Sequence, residues 1–372
     1  MSVGCDAKTV PATAVPEGQM QRYDQPTTDG AVAVGNLNAQ ILGLSDAVAA
    51  GSTSLSIRRQ LMALLMVRTQ FLGSFDDFAH ALSLAPTDAD RATVLIAVHR
   101  FEEARALTDD RDAQATIDLA TGSQLGALLS ARIDAADAHP NYRTLTQLAA
   151  AEAASGLFED ADATYVRALE GYGNVSPFAV AFVQFQRGVM WAESAAVPER
   201  GLRLYRDAVR ILPQYVVATV HLAELESRFG DDATAVRLLD RLIGDDGVGD
   251  AEPYGLLSSL LETLDPTRSA GLAAHATTRY NTLLDRHYEA FLDHGAEFFG
   301  GPGADSARAL VLAQDNLTLR RVDRAYFVAI NAAENADRPE LACRFAREAG
   351  TDRVSIVLNQ RIAALSCTAD TQ

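Results

Sequence analysis

The chain reads as an all-α protein, a solenoid of stacked antiparallel helix pairs, and three observations predict this. From Leu37 onward, amphipathic segments of helix length alternate with short runs of Gly, Pro, Asp and Asn. Period-two strand patterning is almost nowhere present. Lastly, one spacing recurs: in residues 216–243, Leu222 and Ala223 precede Gly230, and Ala235, Leu239 and Leu242 follow it at offsets of five, nine and twelve. Residues 141–171 repeat this with Leu148, Ala149 and Gly156, then Ala161, Tyr165 and Ala168 at the same offsets.

Residues 1–36 are rich in Pro, Thr, Gly and Ala without helical period, and are expected to form a disordered or extended leader. Within it, Ser2, Val3, Gly4 and Cys5 resemble the end of a bacterial lipoprotein signal. If an apolar segment precedes Ser2, Cys5 is the lipidated residue and the protein belongs to the cell envelope. Otherwise Cys5 is an ordinary thiol, and a cytoplasmic protein is expected.

Residues 37–140 keep only fragments of the pattern, a turn and helix start at residues 73–78 and the start of a second helix at residues 100–104. They are expected to be divergent repeats, because the end of a solenoid must cap an apolar face. Residues 141–350 carry the better-formed units. After the first two copies come Gly201, Tyr205 and Ala208; then Ala276, Tyr280 and Leu283; then Ala309, Ala313 and Asn316; and finally Ala342, Ala346 and Ala349. The leading small residues stand 40 (161 to 201), 34 (to 235), 41 (to 276), 33 (to 309) and 33 (to 342) apart. Residues 351–372 provide a C-terminal capping helix, with apolar Val354, Ile356, Val357, Leu358, Ile362 and Leu365, and a tail.

Small residues where two helices touch, Gly at their turn and large residues between them resemble the tetratricopeptide repeat of about 34 residues, in its bacterial form. Ala or Gly at the crossing lets the helices approach, while Leu, Tyr and Phe fill the spaces beside it. The resemblance implies a right-handed superhelix whose first helices line a concave groove that receives a peptide or protein segment. Carried over by register, the groove positions are Arg143, Thr146 and Ala150; Gln186, Met190 and Glu193; Val217, Val220, Glu224 and Arg228; and Arg324, Phe327 and Asn331. The clamp for a peptide C-terminus found in some members needs Lys and Asn, where these repeats offer Thr146, Ala150, Gln186, Met190, Val220 and Glu224. A mixed polar and apolar groove suits an amphipathic or extended segment.

Composition excludes other classes. A formal charge of −17 argues against a nucleic-acid partner, whose affinity rests on Lys and Arg, and against attraction to anionic lipid. No run of about 18 apolar residues is present to span a bilayer, so a membrane is reached only through an anchor at Cys5. With 372 residues, 48% of them hydrophobic, the chain makes a core without help from a metal or disulfide.

Chemistry-bearing motifs are sparse. The seven His residues form no HExxH pair and no zinc-type cluster with Cys. The nearest approach, His287, His294 and Glu297, returns to one helical face but reads better as packing or solvated residues. The loop at residues 244–252 concentrates Asp245, Asp246, Asp250 and Glu252, yet lacks EF-hand spacing and reads as an inter-repeat linker. Gly300, Gly301 and Gly303 around Pro302 read as a turn between paired helices and not as a phosphate cradle. Cys343 and Cys367 are expected to miss one another by about two helical turns if the last hairpin turns near Thr351. No cofactor or metal is expected.

The function expected is that of a noncatalytic scaffold or adaptor holding a protein or peptide segment in the groove. A solenoid that senses a small peptide is the alternative, distinguished by a compact pocket closed between end repeats. A hydrolase on a helical fold, using an acid pair that sequence alone does not single out, is the third reading.

Overall fold

Each repeat's two amphipathic stripes can be buried only against a partner, and the helices accordingly pair in chain order. The computed structural model describes residues 26–244, 247–350 and 353–367; Cys5 lies outside them. Twenty α-helices and no strand occur among the described residues. The first pair is α1 (Gly30–Ala49) with α2 (Leu55–Leu72), followed by the short helices α3 (Asp77–Leu84), α4 (Asp88–Ala97), α5 (Phe101–Leu107) and α6 (Arg111–Thr121), then α7 (Leu125–Ala138). Regular hairpins follow: α8 (Tyr142–Ala154) with α9 (Phe158–Glu170), α10 (Pro177–Val189) with α11 (Pro198–Ile211), and α12 (Val216–Arg228) with α13 (Asp232–Ile243). The array continues through α14 (Glu252–Leu261) with α15 (Pro266–Arg286), α16 (Leu292–Gly300) with α17 (Ser306–Leu319), and α18 (Asp323–Asn335) with α19 (Pro339–Ala349), and ends at α20 (Ile356–Ala363).

The recurrent offsets are packing positions. Ala161, Ala168, Ala235 and Leu239 are fully buried, and Tyr165 nearly so. Gly230 takes a left-handed φ of 87° at the α12–α13 turn, which favours glycine there. The hairpins are thus of the tetratricopeptide type in both register and pairing. Close approach is taken furthest between α10 and α11, where a Cβ on Gly188 would lie 2.4 Å from Tyr205 Cε1 and one on Gly201 2.6 Å from Ala192 Cβ.

The superhelix winds until it meets itself. Asp76 pairs with Arg286 across 210 residues at 2.6 Å, and His99 Nδ1 reaches the Glu289 carbonyl across 190 residues at 3.2 Å. Phe71 packs on Tyr215 with ring centroids 4.7 Å apart, and Phe75 on Phe291 at 4.8 Å. Further along, the Arg321 amide donates to the Thr121 carbonyl at 3.3 Å, while Gly156 packs against Val354. Gly73, in the left-handed region, sits where a Cβ would come within 2.9 Å of Asp250 Cβ. The N-terminal helices therefore lie along the rim of the C-terminal ones, and Asp250 of the acidic loop is buried in that seam.

Three sequence expectations are revised. Helix starts at Gly30, inside the expected leader, because the Asp29 carboxylate accepts from the Ala31 and Val32 amides. Within residues 351–372 the capping helix takes up only Ile356–Ala363, with Ser355 as its N-cap, and leaves Val354 and Leu365 of the expected apolar set outside it. Cys343 and Cys367 are joined in a disulfide, their Cα atoms 5.6 Å apart. The expected offset placed Cys367 past the end of the last helix and carried it about two turns beyond Cys343. Because α20 stops at Ala363, the residues beyond it leave the helical path and bring Cys367 back over α19.

Candidate functional site

Successive first helices α12, α14, α16 and α18 lie side by side, and their inner faces enclose a chamber of about 260 Å³. Its walls carry Glu193 and Tyr205 from the α10–α11 hairpin, His221, Glu224 and Arg228 from α12, Glu252 from α14, Glu297 from α16 and Arg324 from α18. Two smaller hollows continue it. One of about 170 Å³ shares Glu224, Glu252 and Glu297 and adds Leu256, Phe298 and Pro302. Another, of about 150 Å³, shares Glu297 and reaches Asn331 and Asn335.

Glu193 is placed by a break in helical register. After Val189 the chain makes a π-helical turn, Met190–Ser194, and the wider turn rotates the residues that follow it. Met190 and Trp191 turn into the core while Glu193 enters the chamber. This turn is pinned from three sides. Trp191 Nε1 donates to Asp162 at 2.9 Å, the Arg200 guanidinium stacks 3.4 Å above the Trp191 ring, and Ser355 Oγ donates to the Glu193 carbonyl at 3.3 Å. Beneath them, buried Arg187 grips Asp162 through Nε at 2.8 Å and Nη2 at 2.9 Å.

Most charges in the chamber are matched. His221 Nδ1 lies 2.7 Å from Glu193 Oε1, which also accepts from the Tyr205 hydroxyl at 2.9 Å. His294 Nδ1 lies 3.2 Å from Glu252 Oε1, and Arg324 meets Glu297 at 2.6 Å. Burial by itself would favour the neutral forms. It is overcome at Glu193, which His221 holds down at about 2, and at His221, which Glu193 lifts to about 9. His294 likewise rises well above its ordinary value against burial, chiefly through Glu252 and Asp293.

Glu224 differs, having no hydrogen-bond or ion-pair partner among the described residues. Enclosure by protein, then the nearby carboxylates of Glu252, Glu297 and Glu193, push it up to about 7 against the pull of His221. Its side chain is nevertheless exposed, so both burial and neighbouring charge act on it less strongly than on a group packed in the core. Arg228, one turn further along α12, also lines the chamber and likewise has no partner among the described residues.

Of the groove positions read from sequence, Glu193, Glu224, Arg228 and Arg324 come together here, and Asn331 lies in the adjoining hollow while accepting from Arg361 Nε at 2.7 Å. The others are elsewhere. Val220 is fully buried among Ala223, Ala235 and Leu257, and Met190 packs with Ala161 and Leu204. Val217 and Phe327 are half-buried against the core, as is Ala150 on α8. Gln186 is half-buried, Arg143 pairs with Asp112 at 3.1 Å, and the Thr146 hydroxyl donates to the Tyr142 carbonyl at 2.8 Å. The inner stripe of α12 is His221, Glu224 and Arg228; Val217 stands on the same face one turn before it, outside the chamber and against the core, and Val220 lies off the stripe by one position of helical register.

Sequence reasoning missed Tyr205, His221 and Glu252 as chamber residues. A stripe at i, i+3 and i+7 beginning at His221 was the available signal for α12. His287, grouped earlier with His294 and Glu297, instead packs on Phe78 at 5.3 Å. No cluster suited to hold a metal ion occurs among the described residues.

No protein-family model matches the chain, and no curated protein matches it. Among solved structures it is similar to a tetratricopeptide repeat protein from Parabacteroides merdae, with TM-score 0.39 and 14% identity over 73% of this chain and 98% of that one. It is also similar to the human IFIT1 dimer with m7Gppp-AAAA, with TM-score 0.39 and 14% identity over 91% and 77% of the two chains. Yeast Tom70 gives TM-score 0.33 and 11% identity over 89% and 92%. At scores this low the architecture rests on the chain's own helix pairs.

Proposed function

We propose that the protein is a noncatalytic helical-repeat scaffold that takes a short peptide, or the end of a protein segment, into the chamber lined by α12, α14, α16 and α18. The observation that carries this reading is the continuity of the hollows: the chamber and its apolar arm share Glu224, Glu252 and Glu297, and the third hollow joins them at Glu297, so that they form one cleft with a charged centre. A concave, partly apolar cleft with a few convergent polar groups is the usual form of a ligand site. Contact between the N-terminal helices and later coils of the superhelix favours a compact ligand over a long helix laid along an open groove.

A binding screen with short synthetic peptides, read by calorimetry, tests the proposal. Leu256→Trp fills the apolar arm and should abolish binding of any peptide found, while Leu42→Trp, on the exposed face of α1, should not. Equal loss in both variants, or retention in both, would remove the chamber as the binding site.

A further inference from the structure

The chamber's charges, matched one against another, leave one acid and one base over. Glu193 is taken by His221 and Tyr205, Glu252 by His294, and Glu297 by Arg324. Glu224 and Arg228 remain, both lining the same cavity. They stand four residues apart on α12 with the acid on the N-terminal side, the order in which such a pair normally closes on an exposed helix. Here they do not close. A cavity that holds an open carboxylate and an open guanidinium one turn apart is complementary to a molecule carrying both charges.

Size narrows the class. At about 260 Å³ the central chamber is smaller than the cavities of drug-sized ligands, and the adjoining arm past Glu224 is walled by Leu256, Phe298 and Pro302. Building on the reading of the chamber as the ligand site, we infer that its ligand is a small zwitterion, a free dipeptide or amino acid with an apolar side chain. The ammonium is set on Glu224, the carboxylate on Arg228, and the side chain lies in the arm beside Leu256 and Phe298. At the ammonium position Glu224 is the carboxylate left without a cation, Glu252 and Glu297 beside it being matched by His294 and Arg324.

Calorimetric titration of the intact chain with leucylalanine, phenylalanylalanine and free leucine, beside N-acetylated and C-amidated leucylalanine, tests the inference. At least one free compound should bind, and blocking either terminus should weaken binding by about tenfold or more, as loss of a charged hydrogen bond does. Glu224→Gln should reproduce the effect of acetylation and Arg228→Gln that of amidation, with each variant indifferent to the corresponding block. Circular dichroism checks that both variants keep the fold. Equal binding of free and blocked peptides, or unchanged affinity in Glu224→Gln, overturns the zwitterion assignment while leaving the chamber as the site. If longer end-blocked peptides bind in a manner sensitive to Leu256→Trp while no free dipeptide or amino acid does, the assignment is again wrong and the proposed function stands. Absence of binding by every compound, long or short, removes both.

Discussion

His221 and Glu193 meet at 2.7 Å in the wall of the chamber, from two consecutive hairpins, α12 with α13 and α10 with α11. Burial opposes both charges, but each keeps the other ionised: His221 rises to about 9 and Glu193 falls to about 2. In the unfolded chain His221 returns to its ordinary value of 6.5 and Glu193 to 4.5. The histidine's contribution to stability is therefore complete below pH 6.5 and lost as pH rises through about 9; the carboxylate's is complete above pH 4.5 and lost as pH falls through about 2. Melting curves from pH 6 to 10 should show stability declining, and the decline should be shallower in His221→Gln. Some decline will persist in that variant, because His294 is raised in the same direction.

The buried pair beneath the π-helical turn should be the more costly one to break. Arg187 has 2% of its side-chain surface exposed and Asp162 13%, so truncating the arginine strands a carboxylate in the core. Arg187→Ala should destabilise the fold by about 3 to 5 kcal/mol in urea denaturation. An effect within the range of a surface substitution would show that Trp191 and Arg200 satisfy Asp162 on their own.

Ala235 is fully buried where α12 and α13 cross. Ala235→Leu should overpack that crossing and cost about 1 to 3 kcal/mol, read as a lowered melting temperature. An unchanged melting curve would contradict the role of small residues at the hairpin crossings.

The disulfide between Cys343 and Cys367 closes a loop of sequence separation 24. By the chain-entropy argument its loss should cost about 3 kcal/mol. Thermal melting with and without reductant measures this, and Cys343→Ala should melt like the reduced protein and be insensitive to reductant. Since α20 contacts the turn that carries Glu193, hydrogen exchange in residues 190–194 should also rise on reduction.

What was legible in the sequence was local and periodic. Gly230, Ala235 and Leu239 declare a hairpin because each residue type answers a steric need a few positions away, and Gly156, Ala161 and Tyr165 repeat that answer. Glu193, Glu224, Arg228 and Arg324 could be listed together because they share the register of first helices. Three things were not legible. The π-helical turn at Met190–Ser194 shifts register without a Pro or Gly to announce it, which is why Met190 reads as a groove residue and is a core one. Contacts such as Asp76 with Arg286 and Gly73 with Asp250 depend on the pitch of the whole superhelix, a sum of small rotations that no single repeat encodes. The disulfide depends on where α20 ends, and helix ends are the least well specified part of a periodic pattern.

The meeting of the first coils with later ones also alters the way this molecule comes apart. An open array of repeats can fray from either extremity, each unit answering only to its neighbours. Here a loosened α2 or α3 would release Tyr215, Asp250 and Arg286 as well. The chain thus behaves less like a string of beads than like a spring closed to its solid height, in which coils far apart along the chain bear on one another and loss of one registers well beyond its neighbours.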